Sequence, residues 1–168
     1  IFNRIQCFFE LKGFPMQVSN FAVTRDDHYT VSTDPSKLDI EVIHSFLYHS
    51  KWAKGIDLET IQTAIQNSLC FGLYDPNNQQ IGLARIITDY ATFAYVKDVF
   101  VIDKFQKLGL GLWLMECCLE HLESLKLRRI MLLTSTASGF YKQMGFTPLN
   151  QENFVWQLLP NNTEAISN

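Results

Sequence analysis

The spacing of apolar residues changes several times along the chain, and each change marks an element. From Asp39 they recur as Ile40, Ile43, Phe46 and Leu47, one face of a helix with Asp39 as N-cap and an end near Ser50. The loop His49 to Gly55 leads into a second helix, Leu58 to Asn67, with Leu58, Ile61 and Ile65 inward. The pattern then becomes that of strands. Leu69 to Tyr74 and Gln80 to Thr88 are β-rich runs around Asp75-Pro76-Asn77-Asn78, a turn sequence that makes them a hairpin. Phe93 to Ile102 is the next strand, so the three form an antiparallel meander. Directly after it comes a helix from Gly109 to about Leu125. Leu112, Met115, Leu119 and Leu122 lie on one of its faces, and Glu116, Glu120 and Glu123 on the other.

Shorter patterns complete the chain. Tyr29 to Thr33 reads as a strand stopped by Asp34-Pro35, Ile130 to Leu133 as a buried strand, and Phe154 to Leu159 as a final one. Ser138 to Met144 is a short helix ended by Gly145, and Ile1 to Phe14 an amphipathic helix ending at Gly13. The organisation expected is an N-terminal extension over 1–27, one domain over 28–160, and a polar, fraying tail over 161–168.

Composition narrows the class. A hydrophobic fraction of 47% with 18% charged residues is that of a globular protein, and thirteen phenylalanines supply a core and a ligand groove. A net charge of −3 offers no basic field, which argues against nucleic acid. Cys7, Cys70, Cys117 and Cys118 lack metal-finger spacing, and His28, His44 and His121 show no ligand spacing, so no metal is expected. No apolar run reaches the roughly 20 residues of a membrane span. The reading is a soluble, cytoplasmic protein with reduced thiols and no membrane partner, although the sequence begins at Ile1 rather than Met and leaves its natural start open.

The stretch with the most chemistry is Val96 to Gly111. A strand that passes through glycines into a helix gathers unpaired backbone N–H groups and the positive end of a helix dipole at one point, which attracts phosphate. Gln106, Lys107, Leu108, Gly109, Leu110 and Gly111 make that turn, with Lys107 adding a positive charge. GxGxxG after a first parallel strand and GxxxxGK with Ser or Thr are both missing here. What stands is Gln-x-x-Gly-x-Gly after an antiparallel meander, followed downstream by Ala137-Ser138-Gly139-Phe140-Tyr141-Lys142-Gln143-Met144-Gly145-Phe146. The pair resembles the acetyl-CoA signature and the A-x-x-F/L-Y-x-x-x-G-F segment of the GNAT superfamily of N-acetyltransferases.

That resemblance implies an α+β fold: a mixed, mostly antiparallel sheet of six or seven strands flanked by helices, with splayed central strands. It also implies acetyl-CoA as cosubstrate. Val99, Phe100 and Val101 match the splayed strand whose free backbone bonds the pantetheine arm and polarises the thioester carbonyl. Tyr141 matches the tyrosine that protonates the leaving thiolate, and Ser138 lies in the same coenzyme-binding segment. Two positions depart from the family pattern: Lys107 where glycine is frequent, and Thr134 where many relatives have an asparagine on the coenzyme arm.

The attacking amine must also lose a proton. Asp98, an acid in an otherwise apolar strand, is the leading candidate base, directly or through water, with Asp89, Tyr90 and Tyr95 nearby; pairing of Asp98 with Lys97 or an arginine is the competing reading. Trp52, in the loop that borders the acceptor pocket in similar folds, and Tyr95 are candidate acceptor-binding residues. The expected reaction is direct attack of a primary amine on acetyl-CoA. The compact size and lack of an acidic cluster favour a small-molecule acceptor other than a polyamine. A non-catalytic acetyl-CoA-binding module, a protein or peptide acetyltransferase and a homodimer remain open.

Overall fold

The computed structural model describes residues 20–150, 152 and 154–156. Among them, six strands form one sheet in the order β1-β2-β3-β4-β5-β6. They are β1 (Ala22–Thr24), β2 (Thr30–Ser32), β3 (Leu69–Tyr74), β4 (Gln80–Thr88), β5 (Phe93–Val101) and β6 (Arg129–Leu132). Neighbours are antiparallel except β5 and β6, which are parallel. This is the mixed, mostly antiparallel sheet the sequence implies. The helices are α1 (Ile40–His49), α2 (Leu58–Gln66), α3 (Leu110–Ser124) and α4 (Ser138–Lys142).

Local chemistry sets these bounds. Asp39 caps α1, its carboxylate accepting from the Glu41 and Val42 N–H groups, and Asp57 caps α2 through the Thr60 N–H; such caps contribute about 1 kcal/mol each. In the β3–β4 turn, Asp75 accepts from the Asn77 and Gln79 N–H groups, and Asn78 takes a positive φ.

The two faces of the sheet carry separate cores. On one, α3 packs over Phe71, Leu73, Ala84, Ile86, Ala94, Val96 and Val101. On the other, Ile43 and Leu47 of α1 and Ile61 of α2 meet Cys70, Leu83 and Phe100. The inward side of α3 differs from the expected one. Leu110, Leu114, Met115, Cys117, Cys118 and Leu122 are buried, while Leu112 and Leu119 are only partly covered, because the helix begins at Leu110 and turns its cysteines toward the sheet.

Two other differences are local. β1 was not anticipated: its three residues are all exposed, so no alternation marks it. The strand expected over Phe154 to Leu159 runs partly outside the described residues, and 154–156 are not in a strand. The helix expected over Ile1 to Phe14 lies outside them. No helix among the described residues is long and apolar enough to cross a membrane.

Candidate active site

β5 leaves the sheet at Val101 and reaches α3 through a tight connection. Gln106 clasps it: its side-chain amide donates to Val101 O (3.0 Å) and to Asp103 Oδ1 (2.9 Å). Lys107 has φ +63° and Gly109 φ +73°, so the chain passes twice through the left-handed region before α3 begins. Glycine adopts that conformation without penalty, whereas other residues are strained in it. The strain at Lys107 gives a physical reason why glycine is frequent at that position in proteins with this signature.

Gly109 occupies the N-cap of α3 and offers no side-chain cap, and the first turn carries no acidic residue. The first N–H groups of a 15-residue helix therefore have no side-chain partner at the cap, with the positive dipole end behind them. An anion placed there meets converging donors.

Gly111 lies where three elements converge. A Cβ there would sit 3.7 Å from Val101 Cγ2 and 4.0 Å from Phe140 Cζ, so the end of β5, the first turn of α3 and α4 are in contact. Gly111→Ala is expected to leave stability within about 1 kcal/mol of the parent, since these are ordinary contacts. Gly109→Ala is expected to cost about 1–2 kcal/mol because of its positive φ, although no heavy atom lies within 4 Å of the new methyl. Thermal unfolding of the two variants checks the contrast.

The parallel partner β6 accompanies β5 only from Phe93↔Arg129 to Val96↔Leu132. Beyond that point β5 continues beside β4 alone, through Arg85↔Lys97, Leu83↔Phe100 and Gly82↔Val101. The edge of Val99, Phe100 and Val101 away from β4 thus has no ladder partner from β6, and it lies just ahead of the glycine turn. Gly82 permits the close approach of β4 here, since a Cβ would stand 2.7 Å from Phe100 O.

Between Lys97 and Phe100 the register shifts, β5 holding one residue more than β4. The extra residue is absorbed at Asp98, whose φ is +51°. Simple alternation would put Asp98 on the α3 face with Ala94 and Val96. The bulge turns it to the opposite face, where its Oδ2 accepts from Arg85 Nε (2.8 Å) and its Oδ1 from Trp52 Nε1 (3.1 Å). Arg85 and Asp98 are each only 6% exposed, and Arg85 Nη1 donates to Ser68 Oγ (3.0 Å). The expected base thus sits in a buried ion pair. The sequence did signal this pair, because Arg85 is the one charged residue in the apolar run of β4, and a buried charge requires a partner.

Trp52 is 41% exposed, stands near Phe46 and covers Asp98, while Phe46 stacks on Phe100 at 3.9 Å. Burial, and secondarily the charge of Asp98, raise the pKa of Tyr95. Tyr95 alternates with Ala94 and Val96 of the α3-side core and so faces the side of β5 to which Asp98 is turned and where Trp52 bonds it. Asp89 does not join them. It accepts from Thr92, Ala91 and Phe93, bonds that hold its carboxyl well below the usual range and close the β4–β5 turn.

On α4, Tyr141 is half-buried against the α3-side core and packs edge-on to Phe140 and Phe146. Gly145, at φ +85°, ends the helix and brings the Phe146 N–H back to Tyr141 O (3.2 Å). Burial raises the phenol's pKa above 10.0, so at neutral pH it holds its proton and can donate. Thr134 Oγ1 accepts from the Ala137 N–H (3.0 Å), fixing the entry to α4, and Ser138 is exposed at its start. Among the described residues no cluster of His, Cys, Asp and Glu could hold a metal ion.

Comparison with known proteins agrees with this geometry. A family model described as an acetyltransferase (GNAT) domain matches residues 66–148. A protein of Gibberella zeae, provisionally named an acetyltransferase, is 35% identical over 132 residues, covering 67% of this chain and 74% of that protein. The crystal structure of a provisionally assigned GNAT-family acetyltransferase from Xanthomonas campestris pv. campestris is 44% identical with a TM-score of 0.73, over 79% of this chain and 94% of that one. A more distant GNAT acetyltransferase from Elizabethkingia anophelis, solved with acetyl-CoA bound, shares the fold at 17% identity and a TM-score of 0.54, over 72% of this chain and 74% of that one. The chain belongs to the GNAT acetyltransferase family.

Proposed function

We propose that the protein transfers the acetyl group of acetyl-CoA to a primary amine of a small-molecule acceptor by direct attack. The observation that carries this reading is the end of β5–β6 pairing at Val96↔Leu132, which frees one edge of β5 directly before the open N-terminus of α3. In this reading Gln106, Lys107, Leu108, Gly109, Leu110 and Gly111 cradle the pyrophosphate. The backbone of Val99, Phe100 and Val101 bonds the pantetheine and the thioester oxygen, and Thr134 and Ser138 flank the coenzyme arm. Supporting it, the Elizabethkingia relative was solved with acetyl-CoA bound.

Attack of the amine nitrogen forms the new C–N bond, and collapse of the tetrahedral species breaks the C–S bond. Tyr141 returns a proton to the departing sulfur. Asp98 is 6% exposed and already accepts from Arg85 and Trp52, so we assign it to holding the strand and let water take the amine's proton. Trp52 and Tyr95 border the acceptor. The rate should then rise with pH along the acceptor amine's own ionisation.

The test is thiol release from acetyl-CoA across a panel of small primary amines, peptides and polyamines. Turnover with small amines is expected. Coenzyme binding with no release across the panel would favour a non-catalytic acetyl-CoA-binding module, and release with peptides alone would move the acceptor to proteins.

A further inference from the structure

We propose that Arg85 is a positioning residue for acetyl transfer, holding the β5 bulge so that the free backbone of Val99–Val101 keeps the shape that meets the thioester. The inference rests on the acetyl-transfer reading above. Its starting point is that Asp98 takes a left-handed conformation, one that among L-residues Asp and Asn adopt most readily but still at a cost, and takes it where β5 carries one residue more than β4. A bulge of this kind needs an anchor.

The anchors converge on the one carboxylate. Arg85 reaches it from β4 at 2.8 Å, and Trp52 reaches it from the connection between α1 and α2 at 3.1 Å. Arg85 is itself held by Ser68 Oγ, which donates onward to Ala64 O in α2 at 2.7 Å. On the other side of the bulge, Phe46 of α1 lies flat on Phe100, their planes 8° apart. The helices on the acceptor side are thus tied, through buried polar contacts and one stacked ring, to the strand segment beside the coenzyme. A neutral group at position 85 would leave the Asp98 charge buried and unpaired, and the cheapest relief is to turn Asp98 outward, undoing the bulge.

The experiment compares the full chain with Arg85→Met, Arg85→Lys and Trp52→Phe, reading kcat, the acetyl-CoA KM and amide hydrogen exchange. Arg85→Met should lower kcat by about tenfold or more while changing the acetyl-CoA KM by less than about threefold, because the pyrophosphate turn is untouched and only alignment is lost. Exchange at the Phe100 amide, which faces Leu83 of β4, should quicken by about tenfold, with Phe71 and Leu73 in β3 unchanged. Arg85→Lys should recover part of kcat. Trp52→Phe removes one partly buried donor to Asp98 and leaves the Arg85 pair in place, so it folds even if Arg85→Met does not, and it should quicken exchange at the same amide.

Unchanged kcat in Arg85→Lys together with unchanged Phe100 exchange in Arg85→Lys and Trp52→Phe would overturn the proposal. So would a loss of kcat matched by faster exchange throughout the sheet, which would mark Arg85 as a stability residue only. If the unsubstituted chain binds no acetyl-CoA, the acetyl-transfer reading fails, and the exchange data still decide whether Arg85 holds the bulge.

Discussion

Tyr141→Phe is expected to lower kcat for acetyl transfer by about 10²–10⁴-fold, the usual contribution of a positioned general acid, with acetyl-CoA affinity unchanged within a few-fold. The phenol's apolar contacts with Phe140 and Phe146 survive the change, so packing is kept and only the proton donor is removed. The pH profile gives a second signature. Because burial raises the pKa above the ordinary 10.0, the phenol stays protonated through neutral and mildly alkaline pH, and the falling limb that reports it lies above pH 10.0. That limb should vanish in Tyr141→Phe. A variant with full kcat would remove Tyr141 from the reaction.

Asp98→Ala is expected to cost about 3–5 kcal/mol of stability, because it strands the Arg85 guanidinium in a site 6% exposed. For a chain of this size that corresponds to a fall in Tm of roughly 6–20 °C. The double substitution Arg85→Met with Asp98→Leu should recover most of the loss, since a buried pair replaced by apolar groups of similar volume is often neutral. Thermal unfolding of Arg85→Met, Asp98→Leu and the double completes the cycle. Additive losses would mean that the two side chains act independently, against the 2.8 Å contact.

The fold was legible where local chemistry is strong. The β3–β4 hairpin follows from Asp75-Pro76-Asn77-Asn78, the start of α1 from Asp39 and the end of α4 from Gly145, all decided within a few residues. What the sequence concealed depends on distant partners. β1 pairs with β2 through exposed residues that carry no pattern. The extra residue in β5 leaves composition untouched but reverses the facing of Asp98, so of the two readings open for it, base or partner of an arginine, the structure shows the ion pair. Arg85 is legible as a lone charge in β4 that needs a partner, but which acid, 13 residues away, is decided by the cross-strand register.

The site shows the same division. The turn from Gln106 to Gly111 was readable as a strand-to-helix connection because left-handed backbone before an uncapped helix start favours glycine, as at Gly109. Trp52 was placed at the acceptor side as one of several loop residues, while its bond to Asp98 spans 46 residues and has no local sign. Local backbone turns marked by glycine were therefore visible in the chain, whereas the bulge at Asp98 and the particular partners met across the sheet were not.

The central claim is that acetyl-CoA lies along the free edge of β5 with its pyrophosphate at the start of α3. Titration of the isotopically labelled protein with coenzyme A, followed through backbone amide shifts, tests it most directly. The account predicts that the largest saturable shifts fall on Val99, Phe100 and Val101 and on Lys107 to Gly111, with β1 and β2 unaffected. Saturable shifts confined to another surface, or none at these residues at millimolar coenzyme A, would contradict it.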